Sequence, residues 1–234
     1  MVGAVTTTMV LFSETNSVFG APILSRLADH PQVELAAVVV REPGHLCDYY
    51  LDETDPVDLA QQAGRHGVRV LRPAKVNDQS VISQLRVLRP DFFIVSNYQQ
   101  ILREELLGVP ACDTINFHPS PLPRYAGLAP FYWMARNHET EGGVSAVTMG
   151  RGLDDGPIVA QQLLRLTGQE SAKQIRDSHF RASWRLFDLV LPTLLDRTYR
   201  AIPQDAADRS YFSSPPRHEQ PDGMLLDPAT QKVM

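Results

Sequence analysis

Blocks of apolar positions alternate with polar stretches along most of the chain, and they predict a succession of strands and helices. Residues 9–13 (MVLFS) form a short apolar run halted by turn formers, which predicts a buried strand. After a polar loop holding Ser13, Asn16 and Ser17, a helix begins near Gly20 or Ala21. Its first turn tolerates Pro22, and Ile23, Leu24 and Leu27 supply its apolar stripe. Residues 33–40 predict an apolar second strand of the kind that helices cover on both faces. Residues 68–71 and 91–96 (DFFIVS) predict a third and a fourth. Between them, Asp55 as N-cap and Pro56 as first helical residue predict a helix ending around 64–67. Asn77 or Asp78 caps another, with Val81, Ile82, Leu85 and Leu88 on one face and Pro90 as its stop. The loop 41–54 carries Cys47, Tyr49 and Tyr50, and a short helix ends at Leu107.

The stretch 114–127 (TINFHPSPLPRYAG) is the most informative one. It opens with a β-prone run, and the strand period of two puts Asn116 and His118 on the same side. Pro119, Pro121 and Pro123 then take the chain out of the sheet. An amide donor and an imidazole at a strand end suit chemistry on a polarised carbonyl. Beyond it the pattern predicts a helix over 129–138 and strands over 144–149 and 158–166, with a glycine-flanked loop carrying Asp154 and Asp155 between those strands. Ser171 caps a long helix through Asp196, whose seam is Ile175, Phe180, Trp184, Phe187, Leu191 and Leu195, with Pro192 set to kink or end it. From Ile202 the composition turns rich in Pro and Asp, and 213–216 and 220–223 read as an extended tail. The expected division is a domain over 1–200 and a tail over 201–234. Strand and helix in alternation predict an α/β fold: a Rossmann-like, doubly wound, mostly parallel sheet. Ligands of such sheets bind beyond the carboxyl ends of the strands, so the loops after Ser96 and Phe117 are the candidates.

Composition narrows the function classes. The 234 residues are 43% hydrophobic and 21% charged, enough for a full core. The net charge of −5, with lysine only at positions 75, 173 and 232, argues against a large polyanion as partner. Two cysteines form neither a disulfide framework nor a zinc pattern. No run approaches a membrane span, and residues 1–9 lack a basic leader, so the expected location is cytoplasmic, with no membrane partner. The loop after the first strand lacks a glycine fingerprint for phosphate, and the Asp154 loop lacks the alternating oxygens of a calcium site.

Together, Asn116–His118–Ser120–Leu122–Pro123–Tyr125–Gly127 and Asp154-Asp155-Gly156 resemble the folate-dependent formyltransferase family, whose pattern is N-x-H-x-S-x-L-P, an aromatic, x-G, and later D-x-G. The 38 positions from Asn116 to Asp154 match the family interval. The resemblance covers residues 9–195, and 211–223 look like the linker of longer members. It implies that Asn116, His118 and Asp154 form the catalytic trio and that 10-formyltetrahydrofolate is the formyl donor. It implies pterin contacts at Gln100, Ile101 and Leu102 and at Met149, Gly150 and Gly152.

The residue chemistry agrees. Attack of an amine on a formamide builds an oxyanion, to which Asn116 can donate, and releases a proton; His118 can share the oxyanion's charge or carry that proton at neutral pH. Asp154 would orient or charge His118, directly or through a water. The acidic balance and the short stretch after 200 disfavour a tRNA acceptor, and the loop at 13–17 departs from the glycine-rich one of glycinamide ribonucleotide formyltransferases. The expected acceptor is a small-molecule amine, first a nucleotide-linked amino sugar. Other natural-product amines, methionyl-tRNA, a non-catalytic folate-binding role and a homodimer stay open.

Overall fold

A computed structural model describes residues 6–50 and 53–215; the predicted extended segment 220–223 lies outside them. Seven strands form one sheet: β1 (Thr7–Phe12), β2 (Val33–Val39), β3 (Arg69–Leu71), β4 (Phe92–Val95), β5 (Asp113–His118), β7 (Glu141–Thr148) and β8 (Ile158–Arg165). Their order is β3-β2-β1-β4-β5-β7-β8. β6 (Ala126–Gly127) and β9 (Tyr211–Phe212) make a separate two-stranded sheet. The helices are α1 (Gly20–Ala28), α2 (Leu59–Arg65), α3 (Gln79–Val87), α4 (Glu104–Leu107), α5 (Pro130–Arg136) and α6 (Ala172–Leu195). The α/β reading of the sequence therefore holds. The chain divides into two compact units that meet in sequence at Ile115 and Asn116, within β5.

In the first unit β1 is central and runs parallel to β2 and β4, and β2 runs parallel to β3. Met9–Phe12 and Phe92–Ile94 are fully buried, which is why these short runs carry no polar alternation. Strand order reverses between β1 and β4, and the loops beyond these strands lock together there. Ser13 Oγ donates to Ser96 O at 2.7 Å, Glu14 N–H to Asn97 O at 2.8 Å, and Gln99 N–H to Glu14 Oε1 at 2.8 Å. The segment after β2 folds inward: the Asn16 carboxamide donates to Cys47 O at 2.9 Å and accepts the Cys47 N–H at 2.8 Å. Burial, followed by the Glu14 carboxylate, pushes the Cys47 thiol well above its ordinary range.

One helix start differs from the sequence expectation. Asp58, not Asp55, caps α2, its carboxylate accepting from the N–H groups of Ala60 and Gln61 at 2.9 and 3.0 Å. The Asp55-Pro56 pair is exposed, whereas Leu59, Ala60 and Ala63 are buried. The helix thus starts where its apolar face begins, one turn after the sequence signal.

In the second unit β7 and β8 pair antiparallel. Ser171 and Gln174 close a capping box at the start of α6, which buries Ile175, Phe180, Phe187 and Leu191 as predicted. Leu194 rather than Leu195 completes the seam, and Trp184 is half-buried. Pro192 falls in the last turn, and the helix stops at Leu195. β7 starts at Glu141, earlier than the predicted 144, with Gly142 and Gly143 as strand residues. A Cβ on Gly142 would stand 2.5 Å from the His179 ring, and one on Gly143 would stand 2.9 Å from Gln162 O. Among the described residues, no helix is long and apolar enough to cross a membrane and no cluster of metal-ligating side chains occurs.

Candidate active site

β5 alternates as its sequence requires. Ile115 and Phe117 are buried, Phe117 lying against Phe187 with ring centroids 5.4 Å apart, while Asn116 and His118 share the other side. Past His118 the proline-rich loop is pinned by polar contacts. Ser145 Oγ donates to Ser120 O at 2.8 Å and accepts the Leu122 N–H at 3.1 Å, and Gln161 Nε2 donates to Leu122 O at 2.7 Å. Tyr125 adopts a left-handed conformation (φ 59°), and its carbonyl stands 3.1 Å from His118 Nε2.

That contact settles the imidazole. A carbonyl only accepts, so Nε2 carries the hydrogen and neutral His118 keeps its lone pair at Nδ1. Facing Nδ1 at 3.6 Å is Asp154 Oδ1, with the two side chains 8% and 18% exposed. The other oxygen of Asp154 accepts the Gly127 N–H at 2.9 Å. Asp154 is left-handed too (φ 51°), a conformation Asp tolerates better than most residues. An imidazole nitrogen open to a proton beside a carboxylate is a proton-accepting pair. The Asn116 carboxamide on the same strand face has no hydrogen-bond partner among the described residues, which leaves its N–H groups available.

Both motif glycines have a steric cause. Gly127 (φ 99°) leaves no room for a Cβ against Phe212 O, and a Cβ on Gly156 would overlap Thr148 O. The first glycine lets the backbone approach β9 and present its N–H to Asp154. The second lets the Asp154 loop turn back onto β7. By contrast a Cβ on Gly150 would meet nothing within 4 Å.

A family profile described as "Formyl transferase" matches residues 7–189. The chain belongs to the formyl transferase family. A methionyl-tRNA formyltransferase from Geobacter metallireducens is 32% identical over 207 residues, 88% of this chain and 65% of the relative. The chain spans 50% to 65% of the length of the first three curated relatives it matches. Among solved structures, an N-formyltransferase from Helicobacter canadensis, in complex with folinic acid and dTDP-3-aminofucose, matches with TM-score 0.66 and 19% identity over 89% of this chain and 71% of that one. A phosphoribosylglycinamide formyltransferase from Anaplasma phagocytophilum matches with TM-score 0.72 and 14% identity over 90% of this chain and all of that one. These structural likenesses establish the formyl transferase fold.

Of the site residues expected from the sequence, His118 and Asp154 come together and Asn116 shares their strand face. Met149, Gly150 and Gly152 belong to the loop that carries Asp154. Gln100, Ile101 and Leu102 lie in the first unit after β4. There Gln100 Oε1 accepts the Val76 N–H at 2.9 Å, Ile101 O accepts from Asn77 Nδ2 at 2.8 Å, and Leu102 is buried. Sequence reasoning missed the backbone groups of Tyr125 and Gly127. It also missed two side chains from the segment after α6: Gln204 Nε2 donates to Asp154 O at 3.0 Å and Gly156 O at 2.7 Å, and Arg209 reaches Asp154 O at 3.3 Å and Leu153 O at 2.6 Å. No local pattern signals contacts across 48 to 56 residues.

Proposed function

We propose that this chain transfers a formyl group from 10-formyltetrahydrofolate to a primary amine of a small molecule, in the first instance a nucleotide-linked amino sugar. The observation that carries the reading is the pairing of His118 Nδ1 with Asp154 at 3.6 Å, on the strand face shared by Asn116, whose carboxamide has no hydrogen-bond partner among the described residues. Donors suited to a polar heterocycle are available at the positions implied by the resemblance. The buried Nε2 of Gln100 has no hydrogen-bond partner among the described residues, and a Cβ on Gly150 would meet nothing within 4 Å. Gln100, Ile101 and Leu102 would hold the donor, as would Met149, Gly150 and Gly152. When bound, the donor supplies an electrophilic formyl carbon.

The protein's own groups do the rest. Asn116 Nδ2–H donates to the oxygen on which negative charge collects, a contact worth roughly 3 kcal/mol when preorganised. His118 takes the amine's proton at Nδ1, the nitrogen left open by the Tyr125 carbonyl, and would return it to the donor nitrogen as the bond between that nitrogen and the formyl carbon breaks. Asp154 neutralises the resulting imidazolium and is itself held by the Gly127 N–H.

The acidic net charge supports a small acceptor over a polyanion. Methionyl-tRNA is the second reading, favoured by the curated relatives at 32% to 35% identity. The test is a panel of nucleotide-linked amino sugars, free amines and methionyl-tRNA with 10-formyltetrahydrofolate, following folate absorbance and product mass. A formylated sugar nucleotide supports the first reading and formylated tRNA the second. Formate released without acceptor points to hydrolysis. Folate binding without turnover on any acceptor removes the catalytic proposal.

A further inference from the structure

The loop that carries Asp154 has little apolar burial to hold its shape. Arg151, Gly152, Leu153 and Asp155 are exposed, Leu153 at 41%. Yet Asp154 must keep a left-handed backbone for its carboxylate to face both His118 and Gly127. Residues 202–213 supply what the loop lacks. Their two ends are fastened by backbone pairs: Ile202 exchanges N–H···O bonds of 2.8 and 2.9 Å with Ile158, and β9 pairs with β6. The far end is further clamped by the Phe212 ring, which stacks on Tyr125 (centroids 4.9 Å) and on Trp133 (5.1 Å). Between these fastenings, Gln204 and Arg209 together take the carbonyls of Leu153, Asp154 and Gly156.

We propose that Gln204 and Arg209 are positioning residues, which fix the backbone of Asp154 so that its carboxylate meets His118 Nδ1 and the Gly127 N–H. Neither touches the trio's reacting atoms; both act through Asp154. Because the segment is fastened at each end by backbone and ring contacts, either side chain can be removed with the segment still in place. The proposal rests on the formyl-transfer reading for its kinetic arm and on geometry alone for its spectroscopic one.

The test uses the full chain and the variants Gln204→Ala, Arg209→Ala and Arg209→Lys. Amide hydrogen exchange is followed at Gly127, which bonds Asp154, and at Leu128, which bonds Phe212 O at 2.9 Å. Exchange at Gly127 should quicken about tenfold in the alanine variants while Leu128 stays protected. Loss of protection at both amides would mean a merely structural strap, and no change at Gly127 would also overturn the proposal. Kinetically, kcat should fall roughly tenfold to a hundredfold with KM within about twofold. In an Asp154→Asn background, Arg209→Ala should cost less than about twofold, since the two act through one group. Full additivity, or a rise in KM alone, would refute the role. Arg209→Lys should recover part of kcat by reaching one carbonyl; a variant no better than Arg209→Ala counts against it. A wild-type protein with no formyl transfer would end the functional reading and leave the exchange arm to decide this one.

Discussion

His118 Nδ1 and Asp154 Oδ1 stand 3.6 Å apart, longer than a direct hydrogen bond yet close enough for the carboxylate to balance an imidazolium. Asp154→Asn keeps an acceptor for the Gly127 N–H and removes the charge. It should cut formyl transfer about a hundredfold with little change in KM, as should Asn116→Ala and His118→Ala. Folate absorbance at saturating acceptor reads this directly. A His118→Ala protein turning over at the wild-type rate would remove that residue's role.

The two motif glycines should resist the smallest substitution. Gly127→Ala and Gly156→Ala each place a methyl group on a backbone oxygen, and Gly127 also has a positive φ. Each should cost about 2 kcal/mol or more, lowering Tm by roughly 4 °C or more. Gly150→Ala, with open space around it, should leave thermal unfolding unchanged.

His179 should give the fold an acid limit. Burial lowers its pKa to about 4, while its Nε2 accepts the Gly143 N–H at 3.1 Å and its Nδ1–H reaches Ile175 O at 2.8 Å. The folded state therefore favours the neutral ring. Below the unfolded value of about 6.5 the unfolded chain binds a proton that the folded chain refuses. The stabilisation is full above pH 6.5, and about 3 kcal/mol is lost as pH falls towards 4. Urea unfolding between pH 7 and 4 should show this slope, and His179→Gln should flatten it. An equal slope in the variant would assign the acid sensitivity to other groups.

The start of α2 offers a plain comparison. Asp58→Ala should cost about 1 kcal/mol by removing two capped N–H groups, while Asp55→Ala should be silent within error. Chemical unfolding of the two single variants distinguishes them.

Much of the fold was legible because buried strands and capped helices write their periods locally. β1, β2, β4 and α6 follow their apolar runs, and Asn116 and His118 share a side by strand period alone. The errors came where one local signal carried two meanings. Asp55-Pro56 reads as a helix start, but burial begins only at Leu59. The strand expected from Val144 starts at Glu141, where Gly142 and Gly143 thin it to admit the His179 ring and the neighbouring backbone. Within the candidate site, His118 and Asp154 were legible as a motif. Tyr125 O, Gly127 N–H, Gln204 and Arg209 were not, because backbone donors carry no sequence mark and distant partners carry no spacing.

The inward fold of residues 41–50 sets the accessibility of the two sulfur atoms. Cys47 is fully buried, clasped through its backbone by Asn16 and touched at its sulfur by Gln99 Nε2 at 3.1 Å, whereas Cys112 is only partly covered. Iodoacetamide should modify the native protein at Cys112 first and take a second equivalent only when the clasp opens, measured by intact mass. A dye can then be attached at one defined point, and the lag before the second alkylation becomes a clock for local opening beside β1.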